Sequence, residues 1–260
     1  MTGIFDSGVG GLTVVRSIKK KFKNFPIIYV GDTARTPWGN KSPEIIQKYS
    51  AQISEFLIKK GASRIIIACN TASTFAGGFL RKKYPEIEFL DVIEPVIERI
   101  KKEQITQKKF LSIGVIGTRG TINSGVYRHK ILQALKSVSI YSQACPLFVP
   151  IAEEGLGSHP GTELFAKKYL KKIKGKINFL VLGCTHYPLL TKAIEKVMGN
   201  KVELISCADE LADILKTKGY AKDKVFNQKD LYYFTDSSTH YKKLAKNILQ
   251  SEIKIENLKV

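Results

Sequence analysis

Residues 64–71 read Arg-Ile-Ile-Ile-Ala-Cys-Asn-Thr, and residues 178–186 read Asn-Phe-Leu-Val-Leu-Gly-Cys-Thr-His. In each stretch an apolar run of strand length ends in a small residue, a cysteine and a nearby threonine. Continuous apolar runs are typical of buried parallel strands, and open α/β sheets bind ligands beyond the carboxyl ends of such strands. We therefore expect Cys69 and Cys184 at strand ends that face one site. Two thiols placed there could remove a proton from one face of a carbon and return one to the other.

A second pair of segments indicates an internal duplication. Residues 3–7 (Gly-Ile-Phe-Asp-Ser) correspond to residues 114–118 (Gly-Val-Ile-Gly-Thr), each a short strand that ends in a polar turn. From the start of each segment to its cysteine, Cys69 or Cys184, the offset is 66 or 70 residues. A single cysteine is more often a small buried apolar residue than a catalyst, but a matched pair in a repeat favours catalysis.

The duplication and the length of 260 residues predict an α/β protein of two domains, each of a common size. We expect residues 1–95 plus 208–260 in the first domain and residues 96–207 in the second. The tail after Cys207 has no counterpart in the second repeat, so we expect it to pack against the first. A hydrophobic content of 43% is sufficient for two cores.

Several classes of protein are excluded by composition. The chain has no apolar run long enough to span a bilayer, and its beginning lacks the pattern of a signal peptide. Its four cysteines lack zinc-type spacing and are sparse for a disulfide scaffold. They are typical of free thiols in a reducing compartment, so we expect a cytoplasmic protein with no membrane partner.

The basic character of the chain resembles that of nucleic-acid-binding proteins, with a formal net charge of +19. Only seven of the 42 basic residues are arginine, which leaves 35 lysines spread along the chain. Arginine is the residue suited to bidentate contacts with bases and phosphates. We therefore assign the lysines to solvated surfaces and do not expect nucleic acid as a partner.

Glycine, proline and serine mark several element boundaries. Residues 6–11 form a Gly-rich turn into a helix over residues 12–21, but their spacing is not that of a nucleotide-binding loop. Residues 31–40 form a long polar loop that contains the only tryptophan, which suggests the wall of a site. Ser42 followed by proline indicates a capped helix start, and this helix is expected to run to Lys60.

Further along, the pattern predicts two more helices, over residues 74–83 and 123–135. It predicts a strand over residues 89–93 that Glu-Pro closes. It also predicts a short strand over residues 145–150.

Five stretches of this chain resemble the cofactor-independent aspartate/glutamate racemase family and follow the family's order over nearly the whole length. They are residues 5–12 (Phe-Asp-Ser-Gly-Val-Gly-Gly-Leu), 31–35 (Gly-Asp-Thr-Ala-Arg), 68–73 (Ala-Cys-Asn-Thr-Ala-Ser), 92–95 (Val-Ile-Glu-Pro) and 183–190 (Gly-Cys-Thr-His-Tyr-Pro-Leu-Leu). The resemblance implies two similar α/β domains with mainly parallel sheets, related by pseudo-two-fold symmetry. It places the active site in the cleft between them.

The same resemblance implies roles for individual residues. Cys69 and Cys184 align with the catalytic pair, and Asp6, His186 and Glu153 align with supporting acid/base groups. The implied substrate-binding positions are Asp6, Ser7, Trp38, Gly39, Asn70, Thr71, Thr185 and His186. The family usually has tyrosine in place of Trp38, whose indole only donates hydrogen bonds. We therefore expect backbone N–H groups of this loop to contact the substrate and the indole ring to form a lid.

Removal of an α-proton from an amino acid requires strong stabilisation of negative charge. The sequence shows no metal cluster and no phosphate loop for a cofactor, so we expect none and assign the task to hydrogen-bond donors in a dry cleft. Donors of this kind occur at the turns that follow the strands: Ser7, Asn70, Thr71, Thr118, Thr121 and Thr185.

Each supporting residue also has a structural interpretation. Asp6 could serve merely as a cap of the Gly-rich helix, and His186 merely as a cap of the following turn. Glu153 could be a solvated surface charge. A helix N-terminus or a neighbouring imidazolium favours a thiolate, and both cysteines precede predicted helices. Cys145 and Cys207 lack a polar turn, so we interpret both as structural.

The resemblance implies interconversion of L- and D-glutamate, which in bacteria supplies D-glutamate for peptidoglycan and hence for cell wall and cell shape. Racemisation of aspartate, or of acidic amino acids more broadly, is an alternative with the same two-thiol design. A third alternative is a catalytically silent relative that binds DNA or another protein. The presence of both thiols argues against it. We expect a homodimer with a small-molecule substrate.

Overall fold

Parallel strands organise the computed structural model, which describes residues 1–22, 24–107, 110–220 and 229–259. The strands in chain order are β1 (Thr2–Asp6), β2 (Ile27–Gly31), β3 (Arg64–Ile67), β4 (Glu88–Asp91), β5 (Leu111–Gly117), β6 (Val138–Ala144), β7 (Phe179–Gly183), β8 (Glu203–Ser206), β9 (Leu231–Phe234) and β10 (Ile255–Asn257). Strands β1, β2 and β7 are buried along their whole length, as expected where helices cover both faces of a parallel sheet.

Within the described residues the strands form two sheets with a repeated order. The larger sheet is ordered β10-β9-β2-β1-β3-β4 and the smaller is ordered β6-β5-β7-β8. Every pairing between neighbours is parallel. The order β2-β1-β3-β4 thus recurs as β6-β5-β7-β8, which is the duplication predicted from sequence. The predicted α/β class with mainly parallel sheets is confirmed.

Helices connect the strands and cover the sheets. They are α1 (Leu12–Lys21), α2 (Pro43–Lys59), α3 (Asn70–Lys83), α4 (Ile93–Gln107), α5 (Arg119–Asn123), α6 (Val126–Ala134), α7 (Phe148–Glu153), α8 (Pro160–Leu170), α9 (Thr191–Met198), α10 (Cys207–Thr217) and α11 (Thr239–Leu249). The predicted starts of α1 and α2 are confirmed, with Ser42 as the N-cap and proline at the first helical position. Gly61, at a φ of +87°, follows the end of α2.

The prediction of a strand over residues 145–150 is wrong. The strand in this region is β6, which ends at Ala144 on the edge of the smaller sheet and has no buried residue. The following apolar residues belong to α7, where Phe148 and Val149 enter the core. Pro150 lies in the first turn of that helix, where its missing N–H costs no hydrogen bond.

Three further boundaries differ from those predicted. Strand β4 ends at Asp91, whose Oδ1 accepts hydrogen bonds from the N–H groups of the first two residues of α4, Ile93 and Glu94. The predicted helix over residues 123–135 is split into α5 and α6 by Gly125, whose φ is +68°. Helix α3 begins at Asn70, four residues earlier than predicted, directly after Cys69.

A shared apolar core joins the two sheets. One cluster contains Ile4 and Tyr29 of the larger sheet together with Val115 and Val181 of the smaller. Helix α10 packs against both α1 and α4, so the segments that connect the sheets contribute to the same core. Among the described residues no helix combines the length and the apolar character needed to cross a membrane.

Candidate active site

The register of the sheets brings the functional turns together in pairs. Phe5 of β1 pairs with Ile67 of β3, so the turns that carry Asp6 and Cys69 are neighbours. In the smaller sheet Gly117 of β5 pairs with Gly183 of β7. The turns that follow these strands begin with Thr118 and Cys184, which places each thiol at the carboxyl edge of its sheet.

Cys69 is held at the N-terminus of α3. It is the N-cap residue, and its Sγ accepts a hydrogen bond from the N–H of Ala72 at 3.4 Å. Its S–H is oriented to donate to Ser7 Oγ at 3.5 Å. Burial raises the pKa of the Cys69 thiol to about 12, and the nearby Asp6 carboxylate acts in the same direction. The helix N-terminus does not outweigh burial, so Cys69 keeps its proton at neutral pH.

Cys184 has a different environment. Its Sγ lies 3.9 Å from Nδ1 of His186, and Nε2 of the same imidazole lies 3.1 Å from Oε1 of Glu153. Burial alone would lower the pKa of His186, but the hydrogen bonds to Cys184 and Glu153 and their charges raise it to about 10. The three residues form a hydrogen-bonded series with a protonated imidazole at its centre, which the Cys69 side lacks.

A small cavity of about 20 Å³ lies between the two thiols and is lined by both. This volume is enough for about one water molecule. Of the residues predicted from sequence, the larger sheet and its loops contribute Ser7, Trp38, Gly39, Asn70 and Thr71 to the lining. The smaller sheet and its loops contribute Thr118, Thr185 and His186.

Asp6 lies behind the lining and is fully buried. Its carboxylate accepts hydrogen bonds from the N–H of Gly8 at 3.1 Å and from Thr185 Oγ1 at 3.2 Å. Burial raises the pKa of Asp6, while the charge of His186 and the backbone N–H groups of Gly11 and Gly8 oppose that rise. Asp6 is not the N-cap residue of α1, which is Gly11, but its carboxylate interacts with backbone N–H groups of the turn that leads into this helix as well as with Thr185.

Three threonine hydroxyls join the two halves of the site. Thr71 Oγ1 lies 3.0 Å from Thr118 Oγ1 and 3.3 Å from Thr121 Oγ1. The hydroxyls of Thr118 and Thr121 are 3.1 Å apart. Thr121 therefore supports the two lining threonines and does not itself line the cavity.

The expectation that the Trp38 ring forms a lid is not supported by its contacts. Its side chain is 1% exposed, belongs to the core of the larger sheet and packs against Tyr49 with ring centroids 5.7 Å apart. Its Nε1 donates to Oδ2 of the buried Asp32, which also accepts from Arg35. The ring is a fixed part of the wall because it is buried, it packs against Tyr49 and its only donor is engaged.

Three lining residues were missed from sequence: Thr36, Pro37 and Val149. The first two lie within residues 31–40, which the sequence already indicated as a site wall. Val149 was assigned to a strand, so its position on α7 beside the thiols could not be anticipated. In the part of the chain that the structure describes, no group of three His, Cys, Asp or Glu residues is placed to hold a metal ion.

The hydrogen-bonded series Glu153–His186–Cys184 predicts a specific dependence of stability on pH. The pKa of His186 rises from about 6.5 in the unfolded chain to about 10 in the folded protein. Its protonation therefore stabilises the fold fully below pH 6.5, and this contribution is lost as the pH rises through 10. For Glu153→Gln we expect a lower free energy of unfolding at pH 7, with the difference from the parent shrinking towards pH 10.5. Urea unfolding at several pH values measures this difference.

The exposed neighbour Glu154 provides the control. Glu154→Gln should follow the parent at every pH, because its carboxylate does not contact the imidazole. Identical pH profiles for Glu153→Gln and the parent would contradict the assigned interaction between Glu153 and His186.

Comparison with known proteins bears on what this geometry does. The sequence profile of the family described as Asp/Glu/Hydantoin racemase matches residues 10–215. Glutamate racemase from Aquifex pyrophilus is 43% identical over 247 residues, which cover 95% of this chain and 93% of that protein.

Solved structures agree with the sequence comparison. Glutamate racemase from Francisella tularensis in complex with D-glutamate has a TM-score of 0.90 at 35% identity, covering 99% of this chain and 97% of that one. An isoform of glutamate racemase from Bacillus anthracis has a TM-score of 0.90 at 33% identity, and the match covers 100% of this chain and 97% of that one. With two thiols facing one cavity and these similarities along almost its whole length, the chain belongs to the Asp/Glu/Hydantoin racemase family.

Proposed function

We propose that this chain interconverts L- and D-glutamate, with Cys69 and Cys184 as the two acid/base groups. The observation that carries the proposal is that both thiols, at the ends of corresponding strands, line one cavity. The glutamate racemases that resemble the chain over nearly its whole length support glutamate as the substrate.

The unequal environments of the thiols support a direction for each proton. Cys184, beside the His186 imidazolium, is suited to take the α-proton of L-glutamate, and Cys69 holds a proton for the opposite face. The bond between Cα and its hydrogen breaks as an S–H bond forms on Cys184. A new bond to hydrogen then forms on the other face of Cα as the S–H bond of Cys69 breaks. D-Glutamate follows the same steps in reverse.

The negative charge that develops at Cα spreads into the adjacent carboxylate. We assign its stabilisation to hydrogen-bond donors that line the cavity, namely Ser7, Thr71, Thr118 and Thr185 together with the backbone N–H of Gly39, and we assign Asn70 to substrate binding. A single well-placed donor contributes about 3 kcal/mol in favourable cases. The same donors bind the substrate carboxylates, so neither pyridoxal phosphate nor a metal is part of the proposed mechanism.

Asp6, Glu153 and Trp38 act indirectly in this proposal. Asp6 holds Thr185 by a hydrogen bond, and Glu153 holds His186 against Cys184. Trp38, fixed by Asp32, supports the loop whose backbone meets the substrate.

The biological setting is proposed on the same basis. We propose that the D-glutamate serves peptidoglycan synthesis, that the protein is a cytoplasmic homodimer, and that nucleic acid is not a partner. We also propose the domain division of residues 1–95 plus 208–260 and residues 96–207. The pairing of β9 with β2 of the larger sheet supports the assignment of the tail to the first domain.

The direct test is chiral chromatography of L-glutamate and L-aspartate incubated with the purified protein and no added cofactor. We expect L-glutamate to become an equal mixture of enantiomers, and aspartate to react much more slowly. Conversion of aspartate alone would identify the alternative activity. Activity that disappears on dialysis against a chelator and returns with a metal would falsify the cofactor-independent mechanism.

The two-thiol mechanism predicts different defects for the two serine variants. Cys184→Ser should exchange the α-hydrogen of L-glutamate with deuterated solvent at least about 100-fold more slowly than the parent, and Cys69→Ser should show the same loss for D-glutamate. Cys145→Ser is the control, because this buried thiol does not line the cavity. Normal racemisation by both Cys69→Ser and Cys184→Ser would refute the two-base mechanism.

The contact between Gly10 and the site predicts a sharp loss of activity on adding one methyl group. A Cβ at Gly10 would lie 2.5 Å from Nδ1 of His186 and 2.5 Å from Oγ1 of Thr185. Gly10→Ala must displace both, and a displacement of about 1 Å can reduce catalysis about 100-fold. We expect kcat/KM for glutamate to fall by that order. The control is Gly78→Ala on α3, where an added Cβ would meet open space. We expect this variant to have normal activity. A fully active Gly10→Ala variant would contradict the assigned geometry.

A further inference from the structure

Asn70 lines the cavity with one half of its amide engaged and the other half unpartnered. The side chain is 2% exposed, and its Oδ1 lies 2.6 Å from the hydroxyl of Tyr127. Its Nδ2 is buried with no hydrogen-bond partner among the described residues. A buried N–H without a partner is costly, so this donor indicates a ligand atom that accepts a hydrogen bond.

The distance between Asn70 and Tyr127 decides which way the amide is turned. A separation of 2.6 Å is within the usual range of O–H···O bonds and shorter than the usual range of N–H···O bonds. The atom of Asn70 that faces Tyr127 is therefore the carbonyl oxygen. Burial, followed by the proximity of Cys207, raises the pKa of Tyr127 well above its usual value, so the hydroxyl remains a donor throughout the neutral range.

Tyr127 is itself fixed by Cys207. The Sγ of Cys207 lies 3.2 Å from the Tyr127 hydroxyl, 3.2 Å from the carbonyl oxygen of Leu182 and 3.6 Å from Oδ1 of Asn70 itself. Tyr127 and Cys207 are 2% and 4% exposed, and neither lines the cavity. Through these contacts Tyr127 of α6, Cys207 at the start of α10 and Leu182 of β7 are all linked to Asn70, the first residue of α3.

We propose that Tyr127, held by Cys207, is a positioning residue that turns the Asn70 amide so that Nδ2 donates to a substrate carboxylate. The proposal rests on the racemase activity proposed above and extends it to two residues outside the cavity. Without the Tyr127 hydroxyl the amide can turn over, and its carbonyl oxygen would then face a carboxylate and repel it.

The test is the steady-state kinetics of Tyr127→Phe in both directions. We expect KM for L-glutamate and for D-glutamate to rise about tenfold, the cost of one misdirected hydrogen bond, while kcat changes less than threefold. The equilibrium constant of racemisation is one, so kcat/KM must fall equally for the two enantiomers. Tyr232→Phe is the control, because its partly buried hydroxyl bonds to Asp230 away from the cavity, and it should leave both constants unchanged.

A double-mutant cycle separates positioning from a general structural effect. If Tyr127 acts through Asn70, Tyr127→Phe adds no further increase in KM to the variant Asn70→Ala. Independent, additive effects of the two substitutions would overturn the proposal, as would a normal KM for Tyr127→Phe alone. The parent protein measured alongside reports separately on whether glutamate is racemised at all.

A second pair of variants tests the same contact if Tyr127→Phe does not fold. Cys207→Ser keeps a group that can bond to the Tyr127 hydroxyl and to Leu182, so KM should stay within twofold of the parent. Cys207→Ala removes these contacts and the one with Asn70 Oδ1, and we expect KM to rise about threefold at unchanged kcat. Equal KM values for the two variants would contradict the proposal.

Discussion

Side-by-side parallel pairing is the constraint on which the site depends. Because β1 pairs with β3 and β5 pairs with β7, the turns after these four strands meet at the carboxyl edges of their sheets. Each edge then carries one thiol, Cys69 or Cys184, and its own set of hydroxyl donors. No residue has to be brought from a distant loop to complete the acid/base pair, since the strand order that builds the sheet also builds the site.

The duplicated scaffold nevertheless holds two unlike thiols. Cys69 is buried beside the Asp6 carboxylate, and these two effects on its pKa outweigh the hydrogen bonds with Ser7 and Ala72, so the thiol retains its proton. Cys184 has His186 and, behind it, Glu153 on α7. Symmetry of the backbone provides two opposed positions, and the proposed mechanism assigns them opposite roles, Cys184 to take a proton and Cys69 to give one. A chemical step that both takes and gives a proton needs both properties.

Sequence predicted the parts of the site that depend on local pattern. The apolar runs before Cys69 and Cys184, the Gly-rich turn and the Ser42 cap all depend on nearest neighbours, and the structure has them where they were expected. The errors have a common cause in tertiary context: Phe148 and its neighbours are apolar enough for a strand but pack as a helix. The partnership of Asn70 with Tyr127 joins residues 57 positions apart and has no local signal.

The proton held by Cys69 has a consequence for successive turnovers. On the proposed mechanism, release of D-glutamate leaves the proton on Cys184 and the charge on Cys69, which is the reverse of the form that bound L-glutamate. Burial disfavours a charged Cys69, and a proton must move from Cys184 to Cys69 before the enzyme can again act on L-glutamate. On this mechanism the free enzyme exists in two protonation forms, one left by the release of each enantiomer. At high substrate concentration the interconversion of these forms competes with the chemical step for control of the rate.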